Sequence, residues 1–138
     1  MPLGLEDKRL TPGDISASSY YNAYLAPWYG RLNHIYSWCV RTRNSKQWMK
    51  VNFGDVMRFK GIATQGRSNA NQWVMSYVVT YSGDGVSYVP YKERRRVKVR
   101  DMLFLVSKHS LLHLLYCMYV TIETCEKCLC FSLYLLAF

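Results

Sequence analysis

Two histidines and two cysteines near the C-terminal end have a spacing that could hold a metal ion. His109 and His113 are four positions apart, and Cys125 and Cys128 follow with two residues between them. Four ligands of this kind could bind zinc, but the pairs stand in the reverse of the zinc-finger order and their surroundings are apolar. The cysteine pair alone lacks the βαβ context of a redox motif. The sequence therefore predicts neither a metal site nor a cofactor.

Residue patterns for catalysis are equally weak. The sequence has no nucleophile motif, no glycine-rich phosphate loop and no acidic cluster for a metal ion. The run Gly83-Asp84-Gly85 has the composition of a hairpin turn rather than of a calcium loop. We therefore predict that the protein is not an enzyme.

Length, composition and charge narrow the class of protein. The 138 residues suffice for one domain, and a hydrophobic content of 50% excludes a wholly disordered chain. The 12 tyrosines and 4 tryptophans favour strands. The net charge of +9 could attract nucleic acid, anionic lipid or sulfated sugar, but a solvated surface explains an excess of this size. We predict no nucleic-acid partner. The first residues have no signal-peptide pattern.

Alternating apolar residues predict several strands before residue 93. Met49, Val51 and Phe53 share one face of a strand that Gly54-Asp55 should end. A second strand is expected over 56–65. A third over 73–82 leads through the Gly-Asp-Gly turn into a returning strand over 86–91.

Some large and sulfur-containing side chains are expected in the core of this region. They are the three tryptophans in strand patterns and a cysteine that we expect to be a buried free thiol: Trp38, Trp48, Trp73 and Cys39.

The composition changes near Glu93. A basic run over 94–100 is followed by an apolar, cysteine-rich stretch to the end of the chain. Three interpretations of this tail stay open: a buried amphipathic helix, a poor membrane-spanning helix interrupted by a lysine and two histidines, and a segment translated from a retained intron or a wrong frame. We therefore expect two segments, residues 1–93 and 94–138.

Eight segments before residue 93 form an ordered set. They are Pro2-Leu-Gly-Leu-Glu-Asp7, Ile15-Ser-Ala-Ser-Ser19, Gly30-Arg-Leu-Asn33, Trp38-Cys-Val-Arg-Thr42, Gln47-Trp-Met-Lys-Val-Asn-Phe-Gly54, Gly61-Ile-Ala-Thr-Gln-Gly-Arg67, Trp73-Val-Met-Ser-Tyr77 and Tyr81-Ser-Gly-Asp-Gly85. As a set, they resemble the discoidin domain, also called the coagulation factor V/VIII C-type domain, over residues 2–93. The resemblance implies an all-β, jelly-roll-like β-sandwich.

The resemblance stops before the C-terminal part of the family domain. The Gly-Asn-rich strand pair, the late arginine-bearing strand and the closing cysteine of the family are absent, and Met1 stands where the family has its opening cysteine. We therefore expect a sandwich that is incomplete on its C-terminal side, followed by an apolar tail for which a helix is one interpretation.

The family binds its ligands on loops at one end of the sandwich. The resemblance places these loops at 20–29, 34–37 and 65–72, and it gives Arg31 a mostly structural role. In lipid-binding members apolar tips insert into a membrane, and in sugar-binding members aromatic faces stack on the sugar ring; alternatively, these side chains fold back into the sandwich end. The candidate ligand-binding residues are Tyr21, Tyr24, Leu25, Trp28, His34, Tyr36, Arg67, Asn69, Asn71 and Gln72.

The resemblance implies a non-enzymatic recognition or cell-adhesion module. Its expected partners are cell-surface carbohydrate or an anionic phospholipid membrane, and its expected location is extracellular or at the cell surface, as part of a parent protein. Two alternatives stay open: a protein–protein module that binds an extracellular matrix protein such as collagen or a receptor, and a non-functional truncated product whose unpaired strand edges would aggregate.

Overall fold

A computed structural model describes residues 10–31, 33–93, 96–97, 99–101, 113–124 and 130–137. The regular structure of these residues consists of β-strands and of three short 3₁₀ helices, Pro12–Asp14, Ala23–Leu25 and Pro27–Tyr29. The strands are β1 (Ile15–Ala17), β2 (Trp38–Cys39), β3 (Trp48–Gln65), β4 (Ser76–Ser82), β5 (Val89–Pro90), β6 (Lys92–Glu93), β7 (Arg96–Val97), β8 (Val99–Asp101), β9 (His113–Thr124) and β10 (Cys130–Ala137). The predicted all-β fold is confirmed.

Eight of the strands form one antiparallel sheet system. The order along it is β2-β10-β3-β9-β4-β5, with β1 paired to β3 and β8 paired to β4. Strands β6 and β7 form a separate two-stranded sheet. The long β3 therefore has β10 and β9 as its neighbours, and β9 separates it from β4.

Strand β3 shows how the apolar alternation becomes a core. Met49, Val51 and Phe53 are buried as predicted. The expected turn at Gly54 is wrong, because β3 continues to Gln65 and the residues between Asn52 and Met57 form an irregular bulge against β9. Gly54 lies in this bulge with φ of +76°, and its N–H donates to Asn52 Oδ1 at 3.1 Å. Because of this bulge, the two strands that the alternating pattern predicted, before and after Gly54-Asp55, form one continuous strand.

Strand β4 leads into the predicted Gly83-Asp84-Gly85 turn, which is part of a longer connection over residues 83–88 than the sequence predicted. Gly85 has φ of +75°, and the Asp84 carboxylate accepts from the N–H groups of Val86 and Ser87 at 2.8 Å each. These N–H donors, Ser87 first, together with the Ser82 hydroxyl lower the pKa of Asp84 from 3.8 to about 2. The returning strand β5 is shorter than expected, since it holds only Val89 and Pro90.

The tail contributes strands to the sheet. β9 pairs with β3 from Trp48↔Thr121 to Phe59↔His113 and with β4 on its other side, and β10 pairs with β3 and β2. The helical interpretation is therefore wrong over 113–122. The division of the chain at residue 93 stays a prediction. His109, Cys125 and Cys128 of the rejected zinc set, and most of the apolar run over 102–112, lie outside the described residues.

The core differs from expectation at two kinds of side chain. Trp38 is fully buried, whereas Trp48 and Trp73 are only half-buried. Cys39 is buried, but it is disulfide-bonded and is not the free thiol that the sequence predicted. Across the described ranges, no helix has the length and apolar character to cross a bilayer.

Candidate functional site

The first loop leaves β1 and is shaped by local capping. Asn22 Oδ1 accepts from Tyr24 N at 3.0 Å and so caps the 3₁₀ helix Ala23–Leu25, as asparagine does at helix starts. Tyr21 N donates to Cys39 O at 2.9 Å. Leu25 is buried against Cys39. The expectation that Leu25 extends beyond the strands is therefore wrong: it anchors the loop from beneath and leaves Tyr24 exposed.

Arg31 holds the far end of the first loop. It is buried; its Nε donates to Trp28 O at 2.8 Å, and its Nη2 donates to Leu10 O at 2.8 Å. A guanidinium has five donors in a fixed planar arrangement, so it can tie two chain segments together at once. The expected structural role of Arg31 is confirmed, with backbone carbonyls among its acceptors.

Aromatic rings from the first and second loops form a continuous network. Tyr29 is at its centre, stacked on His34 with ring centroids 5.4 Å apart and edge-on to Tyr36 at 5.3 Å. Tyr24 contacts Tyr36 at 5.9 Å. On the other side the chain of contacts continues from Tyr29 through Trp28 to Tyr20. We call these six rings the aromatic network: Tyr20, Tyr24, Trp28, Tyr29, His34 and Tyr36.

The second loop is fixed to the third. Ser68 Oγ donates to Ile35 O at 3.1 Å, and Asn33 N donates to Gln65 Oε1 at 3.1 Å. Asn33 has φ of +57°, a left-handed conformation that asparagine tolerates better than most residues. Tyr36 N donates to His34 Nδ1 at 3.0 Å, which orients the imidazole within the network. All three expected loops therefore meet at one end of the fold.

The polar residues of the third loop mostly bond to one another. Arg67 Nε donates to Asn69 Oδ1 at 2.6 Å, and its Nη1 donates to Gln72 Oε1 at 2.9 Å. Arg67 N also donates to Gln72 O at 2.9 Å, which closes the loop. Asn71 is exposed. Of the four polar residues of this loop that were predicted to bind ligand, Arg67, Asn69 and Gln72 therefore hydrogen-bond to one another and shape the loop.

A basic loop borders the first loop. Residues 41–46 connect β2 to β3 and are all exposed; they include Arg41, Arg43 and Lys46. Arg41 N donates to Ser19 Oγ at 3.2 Å, immediately before the first loop begins. Gln47 accepts from the hydroxyls of Ser18 and Ser19 and fixes the same junction. We call residues 41–46 the basic loop.

Exposure separates the predicted residues into two groups. Tyr21 and Tyr24 are about two-thirds exposed at 66% and 65%, whereas Trp28, His34 and Tyr36 are half-buried. The sequence did not single out Ile35, which is 65% exposed. It also missed Tyr20 and Tyr29, although both lie in the predicted first loop, because only the ring contacts show that they join the two loops. The described residues contain no group of three or more potential metal ligands.

Comparison with known proteins decides the family. Residues 14–104 match the family model of the F5/8 type C domain. The chain belongs to the F5/8 type C domain family. The resemblance to discoidin domains is thus confirmed.

Among the relatives of this F5/8 type C domain, lactadherin from Bos taurus is 34% identical over 103 residues, which are 67% of this chain and 24% of lactadherin. Coagulation factor VIII from Canis lupus familiaris is 33% identical over 110 residues, 72% of this chain and 5% of factor VIII. The chain therefore spans a quarter or less of these relatives.

Solved structures share the fold of this F5/8 type C domain. Recombinant discoidin II of Dictyostelium discoideum matches with a TM-score of 0.74 and 21% identity, over 90% of this chain and 55% of that chain. The family 32 CBM from C. perfringens NanJ, solved in complex with galactose, matches with a TM-score of 0.62 and 16% identity, over 90% of this chain and 94% of that chain. These matches confirm the jelly-roll β-sandwich, and the second spans most of a single module.

Proposed function

We propose that the protein is a non-enzymatic extracellular recognition module that binds an anionic phospholipid surface through its three-loop end. The observation that carries this proposal is the aromatic network, with Tyr24 exposed within it, Ile35 exposed on the second loop and the basic loop beside the first loop. Tyr21 and Tyr24 are the proposed aromatic contacts, and Ile35 is the proposed aliphatic contact.

The exposed side chains suit the boundary between lipid and water. Tyrosine has an apolar ring and a polar hydroxyl, and it is enriched at membrane interfaces for this reason. Ile35 offers no hydrogen bond and no flat face for a sugar, but it gains free energy when it leaves water for an acyl environment. An exposed isoleucine on the second loop, next in sequence to Tyr36, therefore favours a lipid surface over a small polar ligand.

The basic loop supplies charge that complements anionic head groups. Each lysine or arginine near an anionic bilayer contributes about 1 kcal/mol of attraction. Arg41, Arg43 and Lys46 are exposed on the loop that adjoins the first loop. Screening by salt should weaken this part of the binding, while the contribution of Tyr24 and Ile35 should persist.

Carbohydrate binding is the second candidate. The exposed ring of Tyr24 could stack on a pyranose, and Asn71 is exposed on the third loop. The fold neighbour solved with galactose supports this possibility for the architecture. The mutual hydrogen bonds of Arg67, Asn69 and Gln72 leave fewer groups for sugar hydroxyls, so we place this candidate second.

Vesicle sedimentation tests the proposal. The probes are vesicles of phosphatidylserine with phosphatidylcholine and vesicles of phosphatidylcholine alone. Ile35→Ser should weaken binding to the anionic vesicles by about tenfold, from the loss of apolar burial. The matched control is Val86→Ser, because Val86 is an 82% exposed aliphatic residue in the turn after β4. The strand separates that turn from the third loop by about 20 Å.

The outcomes separate the two candidates. Binding to anionic vesicles that Ile35→Ser weakens and Val86→Ser leaves unchanged supports the lipid proposal. Equal binding to both vesicle types, or equal effects of the two substitutions, contradicts it. Retention on immobilised galactose that requires Tyr24, without vesicle binding, would instead favour the carbohydrate candidate.

A further inference from the structure

The disulfide at Cys39 has a partner that the strand register identifies. Cys39 ends β2, and β10 is the strand that pairs with β2, with Cys130 opposite Cys39 and Phe131 opposite Trp38. Directly opposed residues of antiparallel strands have Cα atoms about 4.5–5.5 Å apart. A disulfide requires about 4.4–6.8 Å. The backbone therefore brings these two positions within bonding range.

Another cysteine of the described strands lies too far away. Cys117 is on β9, opposite Asn52 of β3 and Ser82 of β4. In the order β2-β10-β3-β9, that strand is three neighbours from β2, or about 14 Å at the usual strand spacing. This distance exceeds the reach of a disulfide.

We infer that Cys39 is bonded to Cys130, and that this bond is a redox-sensitive tie that holds the base of the first loop. Cys39 O accepts from Tyr21 N at 2.9 Å, and Leu25 is buried against Cys39. Strand β2 has only two residues, so a covalent bond to its sheet neighbour restrains it more than its ladder does. Reduction should therefore loosen the loop that carries Tyr24.

The bond forms and breaks by thiol–disulfide exchange. One cysteine thiolate attacks a small-molecule disulfide such as oxidised glutathione and forms a mixed disulfide; the second thiolate then displaces the remaining external thiol. One external disulfide becomes two thiols for each protein bond formed. A dithiol reductant reverses both steps and is oxidised to its cyclic disulfide.

A peptide map of the unreduced protein tests the pairing. Trypsin should release peptide 32–41, which contains Cys39, joined to peptide 128–138, which contains Cys128 and Cys130. The joined mass should persist in Cys128→Ser and disappear in Cys130→Ser. A link that persists in Cys130→Ser, or one from peptide 32–41 to peptide 109–127, overturns the assignment. The map of the unsubstituted protein with fragment sequencing decides the question if a variant fails to fold.

Amide hydrogen exchange tests the tie without any ligand. After reduction, the Tyr21 N–H should exchange at least tenfold faster, while the Ser18 N–H, bonded to Trp48 O at 2.9 Å, should keep its rate. The melting temperature should fall by about 10 °C. Unchanged exchange at Tyr21 overturns the tie even if the bond is found.

The consequence for binding rests on the proposed function and is measured separately. Reduction should weaken binding of the protein to phosphatidylserine vesicles at least threefold, and reoxidation should restore it. If the oxidised protein binds no vesicle, the proposed function fails, while the peptide map and the exchange rates still decide the bond and the tie. If the oxidised protein binds and reduction has no effect, the link between the tie and the site is wrong.

Discussion

The bulge of β3 makes a quantitative prediction at Gly54. Its φ of +76° lies in the left-handed region, and a Cβ built there meets nothing within 4 Å. Gly54→Ala should therefore cost only backbone strain, since there is no clash to relieve. The left-handed conformation costs an L-residue about 1–2 kcal/mol. The stiffer unfolded chain offsets this by about 0.4–1 kcal/mol. We expect a net loss of about 1 kcal/mol, or about 4 °C in melting temperature.

Gly13 provides the matched control. It has no positive φ, and a Cβ there would lie 3.7 Å from Thr11 Oγ1, an ordinary contact. Gly13→Ala should therefore stabilise the protein by about 0.5 kcal/mol, because only the effect on the unfolded chain remains. Gly54→Asn should lose less than Gly54→Ala, since asparagine tolerates the left-handed region.

The assay is thermal unfolding of the three variants beside the unsubstituted protein, followed by far-ultraviolet circular dichroism. The reasoning requires the order Gly13→Ala, unsubstituted protein, Gly54→Asn, Gly54→Ala, from most to least stable. A Gly54→Ala protein that melts at or above the unsubstituted one would refute the bulge geometry.

Three further predictions concern the turn, the core and the third loop. Because the folded-state pKa of Asp84 is lowered to about 2, its charge stabilises the fold above pH 4, and this contribution is lost as the pH falls toward 2. The melting temperature of Asp84→Asn should thus fall less than that of the unsubstituted protein across this range. Trp38→Phe removes the 2.8 Å hydrogen bond from Trp38 Nε1 to Ser19 O and leaves part of the buried volume unfilled. Denaturant titration should therefore show that the free energy of unfolding falls by about 1–3 kcal/mol. A fall of less than about 0.5 kcal/mol contradicts the burial of Trp38. Gly66→Ala places a Cβ 3.1 Å from Gln72 O, so the third loop must shift; vesicle binding should weaken, and unchanged binding would show that this loop does not position the site.

The sequence predicts the strands whose two faces differ in polarity. Met49, Val51 and Phe53 alternate with half-buried neighbours, and period two is a direct signal of a strand with one buried face. The tail lacks that signal. β9 is a mostly apolar run from Leu114 to Ile122, and periodicity alone cannot distinguish such a run from a buried helix. Only its pairing with β3 and β4 identifies it as a strand.

Two other features depend on three-dimensional neighbours. Gly54-Asp55 suits a turn and a bulge equally, and only the pairing with β9 shows that the strand continues. Within the site, the aromatic content of the first loop was visible, but the direction of each side chain was not. Leu25 is buried because the short 3₁₀ helix Ala23–Leu25 rotates it toward Cys39, and the same turn exposes Tyr24.

The place of β9 also governs the order in which the chain can fold. Strands β3 and β4 do not pair with each other, and each uses β9 as its neighbour, with Trp48 opposite Thr121 and Ser82 opposite Cys117. During synthesis, both strands therefore emerge well before the segment that joins them. Contacts between positions so distant in sequence slow folding. Until residues 113–124 arrive, β3 and β4 expose open strand edges, the form in which β proteins are most prone to aggregate.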